Sequence, residues 1–366
     1  MLSGIVHFEG GLYFLYTFLH IFLTFIAHTM QRFISPMKVL RFVEAGLGTV
    51  LMILLYSTVA FGQAEKQQTK KPDSKQESKQ ENKLDAFQKA FNFLVVGDWG
   101  RLGEYNQAEV GQQMGKYGKD LDIDFVISTG DHFYPNGIAS VEDPQWTESF
   151  ENIYKAHSLH CDWYPVLGNH DYRGNPEAQL EYSKRSRRWR LTEHYYTVEK
   201  AIDKKTKALF VFLDTPPLIR DYYKELEKTH VGGQDTARQY RWLDSVLASS
   251  KAEWKIVVGH HHVYTGGKRA PEQPEMVERV KPLLEKYGVQ AYFNGHEHDL
   301  QVIKRGTVHY FVSGAGSEMR PTGRIEGTLF AAEASGFMAV SMLGDQMLVQ
   351  VIDHEGKILH KALVKR

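Results

Sequence analysis

Apolar and polar residues come in blocks along this chain, and five of the apolar blocks end alike. The segments 91–98 (FNFLVVGD), 163–170 (WYPVLGNH), 254–260 (WKIVVGH) and 291–298 (AYFNGHEH) each pass from strand-forming residues to a glycine and then to a polar side chain. The fifth block, Phe125-Val126-Ile127, leads into Gly130-Asp131-His132-Phe133-Tyr134. Short apolar runs closed by glycine read as buried strands, so Asp98, Asp131, Tyr134, Asn169, His260, His296 and His298 fall on loops just past strand ends. Helical signals lie between them. Asp143-Pro144 is a cap with proline at the first helical position, after which Trp146, Phe150, Ile153 and Tyr154 share a face. Asn175-Pro176 opens a second helix that runs through Trp189; a third covers 235–248, packing through Tyr240, Trp242, Leu243, Val246 and Leu247; a fourth covers 275–287 and stops at Gly288.

Strands alternating with helices argue for β-α units and a largely parallel sheet. After Gly306 the pattern changes to short strands over 308–312, 337–342, 347–351 and 358–364, expected to pair antiparallel and complete a second sheet. The fold class expected is α/β, a sandwich of two mixed β-sheets packed face to face with helices outside.

The amino terminus reads differently. A mostly apolar run, 12–27, is followed by Lys38 and Arg41, a second apolar run over 45–61 and small residues near Ala64. Basic start, apolar middle and small-residue end make a secretory signal over 37–64, with 1–36 as a mis-assigned extension; a two-span membrane anchor is the rival. Export to a periplasm or to the outside follows, and any membrane tether would run through this segment. Residues 65–86 are a Lys/Gln-rich linker, with no aliphatic or aromatic residue over 65–83, so they have too little to bury to offset their entropy. The remainder, 87–366, is one catalytic domain.

Composition narrows the chemistry. Lys+Arg and Asp+Glu both number 44, which gives no charge-based reason to expect nucleic acid as a partner. One cysteine, Cys161, excludes an internal disulfide and thiolate metal sites. A Gly-Asp pair alone is an ordinary turn, and Gly-Asn-His-Asp could be a helix cap. Five such endings together, all carrying Asp, Asn or His, point instead to a metal site. Imidazole, carboxylate and amide donors suit iron, zinc or manganese. Seven donors are too many for one ion but serve two that share Asp131, and paired cations ~3.5–4 Å apart hold a phosphoryl group and an activated water for in-line displacement.

The blocks GDWG (97–100), GDHFY (130–134), GNHD (168–171), VVGH (257–260) and GHEHDLQ (295–301) resemble the five signature blocks of the purple acid phosphatases, metallophosphoesterases, and are most similar to the small tartrate-resistant type. The likeness continues through AQLEYSKRSRRW (178–189), KPLLEKYGVQAY (281–292) and VSGAG (312–316). It implies an acid phosphatase acting on phosphate monoesters of small molecules or phosphoproteins, by direct attack of a metal-held hydroxide, and a monomer. It also implies that Asp98, Tyr134 and His298 hold Fe(III), that Asn169, His260 and His296 hold a divalent ion (iron, zinc or manganese), and that Asp131 bridges. His170 would protonate the leaving alcohol.

Some positions depart from the family pattern. Arg269 stands where relatives carry a second outer-sphere histidine, His261-His262 where they have tyrosine and proline, and His132 where they have asparagine. His132, His261 and Arg269 are therefore candidate substrate contacts, with a surface role open for Arg269. A phosphodiesterase or nucleotidase of the same superfamily is the alternative activity, and a binding module without turnover the alternative class.

Overall fold

The computed structural model describes residues 90–366; the segments expected over 1–64 and the linker over 65–86 lie outside the described residues. The first described run, β1 (Phe91–Val96), is the middle of a sheet. β2 (Phe125–Ser128) pairs parallel with it, and β3 (Asp162–Pro165) pairs parallel with β2. The chain then builds a second sheet from β4 (Tyr196–Ala201), β5 (Lys207–Phe212), β6 (Trp254–Val258), β7 (Ala291–Asn294), β8 (Leu300–Arg305), β9 (Val308–Ser313) and β10 (Thr328–Ala332). Its order is β10-β8-β9-β7-β6-β5-β4, parallel through β5, β6, β7 and β9 and antiparallel elsewhere. β11 (Gly336–Leu343) returns to pair antiparallel with β1, and β12 (Gln346–Asp353) and β13 (Ile358–Lys365) extend that first sheet to six strands, in the order β13-β12-β11-β1-β2-β3.

Both sheets are thus mixed and face each other, as expected, but the late strands are distributed differently. The 308–312 strand joins the second sheet, parallel to β7, while β11 to β13 extend the first. An apolar run specifies burial and leaves the partner strand open.

Alternation along the strands shows how the sandwich is filled. Ala208, Phe210 and Phe212 of β5 face the space between the sheets, where Phe210 meets Phe93 at 5.4 Å and Phe125 at 5.3 Å between ring centroids. Leu209 and Val211 face the other way, onto an outer layer that includes Leu243, Leu247, Met276, Val280 and Leu284. Successive side chains of a strand point to opposite faces, so a strand buried on both sides must be apolar throughout.

Helices cover the outside. α1 (Gln107–Leu121) has no counterpart among the expected helices, because its packing surface is largely glycine: a Cβ on Gly115 would sit 2.5 Å from the Ala156 side chain. α2 (Pro176–Tyr182) opens at Pro176 as expected but ends seven residues early. Beyond it, Ser183 Oγ donates to the Leu191 carbonyl and accepts its N–H, both at 2.9 Å, and residues 188–190 hydrogen-bond to Trp163 on β3. Trp189, expected to close that helix, instead forms an isolated bridge to Trp163 of β3, the edge strand of the first sheet. α3 (Thr236–Ser249) is capped by Asp235, which accepts from the Arg238 N–H at 2.8 Å. The fourth expected helix is a π-helical turn, Met276–Val280, continuing into α4 (Lys281–Lys286), and the 143–154 signal likewise becomes a π-helical turn, Trp146–Glu151.

A polar network ties the loops of the two sheets. Tyr172, beyond β3, donates to Asp214, beyond β5, at 2.5 Å; His194 bonds Asp214 at 3.2 Å and Glu177 of α2 at 2.7 Å. Burial opposes charge on His194, but the hydrogen bonds and charges of Asp214 and Glu177 overcome it and lift its pKa to about 9. A pKa raised on folding stabilises the native state fully below the ordinary histidine value and is lost as pH rises through the folded value. The melting-temperature advantage of the native chain over His194→Gln is therefore expected to be largest near pH 6 and to shrink toward pH 10; an advantage that does not change with pH contradicts the assignment.

Candidate metal centre

Asp98, Asp131 and Asn169 follow β1, β2 and β3, three adjacent parallel strands of one sheet; His260 and His296 follow β6 and β7, adjacent parallel strands of the other. Loops at the carboxyl ends of such strands meet at one end of the sandwich, where sites in α/β sheets form. Seven side chains remote in sequence come together there, all buried.

They form two knots of donor atoms. In the first, Tyr134 Oη lies 3.1 Å from Asp98 Oδ1, 3.0 Å from Asp131 Oδ2 and 3.0 Å from His298 Nε2. In the second, His260 Nε2 lies 3.1 Å from Asn169 Oδ1, 3.1 Å from His296 Nδ1 and 3.5 Å from Asp131 Oδ2. Asp131 Oδ2 belongs to both. Its other oxygen is occupied, accepting the His170 N–H at 2.7 Å.

Hydrogen counting makes these knots unusual. The Thr129 carbonyl, 2.8 Å from His260 Nδ1, can only accept, so that nitrogen carries the ring hydrogen and Nε2 presents a bare lone pair to Asn169 and Asp131 oxygens. In the first knot one phenol hydrogen cannot serve two carboxylates. Lone pairs facing lone pairs in a buried space are unfavourable, and a cation in each knot removes the conflict. The donor set therefore fits a two-metal centre. The group Asp98, Asp131 and His260 offers ligand atoms within 4.8 Å of one another.

Protonation agrees with that chemistry except at Asp98. Burial raises the Asp98 pKa, with His260 opposing. Burial alone would raise Asp131 too, but the neighbouring His260 and His170 hold it down to about 2. Burial also depresses His296, and it lowers His298 to about 3 with help from Arg320, so both imidazoles keep lone pairs free for a ligand. Tyr134 is raised by burial and then by Asp131 and Asp98, and is a neutral phenol until something strongly Lewis acidic meets it.

The backbone is bent to achieve this. Asp98, Asp131 and His296 have φ values of 57°, 53° and 70°, a left-handed conformation that costs an L-residue about 1–2 kcal/mol. Strain of this kind collects at functional sites. The glycines act by proximity: a Cβ on Gly168 would stand 2.2 Å from Asp131 Oδ1, and one on Gly295 2.2 Å from Asp98 Oδ2.

The remaining candidates separate. His170 lies at the cleft with its ring 4.3 Å from that of Tyr134 and Nε2 4.0 Å from Asp131 Oδ2; its Nδ1 bonds the Pro135 carbonyl at 2.6 Å. Arg269 reaches the rim, pairing with Glu297 at 2.9 Å beside the His296 loop. His261 packs 4.3 Å from the His296 ring but is fully buried, with Nδ1 on Thr215 Oγ1 and Nε2 on Tyr222 Oη, both at 2.9 Å, so neither nitrogen is free for substrate. His132 is corrected outright: its Nδ1 bonds Gln179 at 2.8 Å and its ring packs on Trp189 and Trp99, inside the core. Asp171 holds its backbone N–H at 3.0 Å, which turns the side chain inward.

Sequence reasoning missed Arg173, Thr215 and Tyr222, which the fold brings to this end. Only Thr215 had a signal, since 207–214 (KALFVFLD) is another apolar run ending in a carboxylate. That run lacks the glycine, and its Asp214 bonds Tyr172 and His194 instead of joining a knot.

Comparison with known proteins gives the same direction. Residues 91–300 match the calcineurin-like phosphoesterase family. Purple acid phosphatase 17 of Arabidopsis thaliana is 39% identical over 74% of this chain and 83% of its own length. Tartrate-resistant acid phosphatase type 5 of Homo sapiens is 32% identical over 77% and 93%. Among solved structures, GAP50, the anchor in the inner membrane complex of Plasmodium, shares the fold with a TM-score of 0.67 at 22% identity, over 75% of this chain and 89% of that one. With a family match across more than half its length and relatives this similar over most of theirs, the chain belongs to the calcineurin-like phosphoesterases and, within them, to the purple acid phosphatases.

Proposed function

We propose that this protein is a two-metal acid phosphatase that hydrolyses phosphate monoesters, of small molecules or of phosphoproteins, with Asp131 as the carboxylate common to both ions. The observation that carries the reading is the single oxygen, Asp131 Oδ2, at which two buried knots of lone pairs meet. Cations bound there supply Lewis acidity toward the phosphoryl oxygens and an activated water.

The chain's own residues do the rest. Asp98, Tyr134 and His298 form one pocket and Asn169, His260 and His296 the other. The first, with its phenol, suits Fe(III): a phenol ionises near ~10 in water, and Tyr134 is raised further by burial and carboxylates. A trivalent ion is what makes its phenolate a ligand. The second pocket, imidazoles and an amide, suits a divalent iron, zinc or manganese. His170, held through Nδ1 by the Pro135 carbonyl, turns Nε2 toward the cleft beside Asp131, where it can hand a proton to the departing alcohol. Arg101 lies over the Tyr134 ring at 4.0 Å and pairs with Glu318, fixing the phenol from behind.

We also infer export through the 37–64 segment, with 65–86 as a spacer and 87–366 as the catalytic domain. Among the described residues no helix is long and apolar enough to cross a membrane.

Two outcomes are expected. The iron-loaded chain absorbs in the visible through Tyr134, and Tyr134→Phe abolishes that band; a spectrum untouched by the substitution rules out the phenolate ligand. His170→Ala lowers kcat toward a nitrophenyl monoester by about 10²–10⁴-fold with the metal content unchanged, whereas kinetics equal to the native chain's remove His170 from the reaction.

A further inference from the structure

We propose that Tyr222 is a substrate-binding residue of this centre, its hydroxyl donating a hydrogen bond to an oxygen of the substrate's phosphoryl group. The inference rests on reading the centre as one that binds phosphate.

It starts at Thr215, directly after Asp214, the carboxylate that follows β5. Thr215 Oγ1 accepts the backbone N–H of His260 at 3.2 Å and of His261 at 3.0 Å. With its lone pairs so engaged, the hydroxyl has its hydrogen left for His261 Nδ1, 2.9 Å away. A neutral imidazole that accepts at Nδ1 carries its hydrogen on Nε2, and Nε2 is 2.9 Å from Tyr222 Oη. His261 therefore donates to the phenol oxygen. Tyr222 keeps its own hydrogen, with no acceptor for it among the described residues. The strand that delivers His260 thus fixes, through two side chains, a phenol that is an acceptor behind and a donor in front.

The phenol lies beside the centre. The His261 ring to which it is bonded packs 4.3 Å from the His296 ring and 5.0 Å from the His260 ring, and His260, His261 and His296 bring ligand atoms within 4.8 Å of one another. Tyr222 also lines a cleft of about 610 Å³, together with Asn136, Arg173, Lys228 and His230 and with Glu225 and Glu227, and Arg173 Nη1 lies 3.0 Å from His170 Nδ1. The cleft adjoins the residue proposed to protonate the leaving group.

The turn that carries Tyr222, Arg220–Lys224, is held in place independently. Arg220 bonds Glu275 through both its backbone N–H, at 3.2 Å, and its Nε, at 2.9 Å, and Tyr223 Oη donates to the Pro217 carbonyl at 3.0 Å. A group anchored this way needs little ordering when substrate arrives, which is what positions a donor usefully.

The test is calorimetric titration of inorganic phosphate into the metal-loaded full chain, for the native protein, Tyr222→Phe and Tyr223→Phe, alongside nitrophenyl phosphate kinetics. Tyr222→Phe is expected to weaken phosphate binding by about ten- to a hundredfold, the worth of one hydrogen bond to a charged oxygen, and to lower kcat/KM similarly. Metal content should stay unchanged, while the melting temperature falls modestly because the buried His261 Nε2–H loses its acceptor. Tyr223→Phe, which removes a hydroxyl with only a structural contact, should leave phosphate affinity as it was. Equal affinity in the native chain and Tyr222→Phe, equal weakening by both substitutions, or a native chain that does not bind phosphate overturns the proposal. A native chain that binds phosphate through Tyr222 but turns over no monoester would sink the phosphatase reading and leave this one standing.

Discussion

One carboxylate oxygen, Asp131 Oδ2, sets the terms for the rest of the structure. It has a phenol at 3.0 Å on one side and a bare imidazole nitrogen at 3.5 Å on the other, in a largely buried space. Groups that present lone pairs to one another in a low-dielectric interior repel unless positive charge lies between them. The fold is an arrangement that keeps them together: two sheets whose parallel strands end at the same edge, three residues forced into left-handed backbone, and glycines where any side chain would collide with Asp98 or Asp131. Such strain is tolerable because the surroundings are rigid. Trp99, directly after Asp98, packs within an aromatic cluster with Phe133, Phe150, Tyr154, Trp163 and Trp189, and its Nε1 donates to Ser128 at the end of β2 at 2.9 Å. The core thus braces the Asp98 loop and the strand leading to Asp131 with one side chain.

Behind the donor atoms lies a shell of residues that act only through others. Asp171 accepts the His132 N–H at 3.0 Å and the Gly168 N–H at 2.8 Å, binding the loop after β2 to the loop after β3. Asp214 gathers Tyr172 and His194 and links β5 to the same region. Thr215 does this for His260 and His261. The distinction matters for function, because His132 and His261 look like active-site histidines in the sequence, yet His132 is buried in the core with Nδ1 on Gln179, and His261 has both nitrogens on Thr215 and Tyr222.

The sequence made the centre more legible than the scaffold, for a physical reason. Glycine followed by a metal-capable residue after an apolar run is a local signal, since the close approach that demands glycine and the donor that follows are adjacent in the chain; Asp98, Asn169, His260 and His296 all carry it. Asp214, which ends a run without glycine, is a useful contrast, being structural. Strand pairing is not local. Nothing in the composition of β9 tells it to lie beside β7 while β11 crosses to β1. α1 was hidden because glycines at 111, 115 and 118 make its contact surface, and the early end of α2 depends on a hydrogen bond from Ser183 to Leu191 that no periodicity reveals. Tyr222 was invisible for the same reason: its meaning comes from His261, 39 positions away.

The account stands on the claim that the convergence at Asp131 exists to hold two cations. The direct measurement is the number of transition-metal ions retained per chain after reconstitution with iron and zinc and removal of excess metal. Two ions per native chain is the predicted result. One ion or none, from a correctly folded chain, would contradict it.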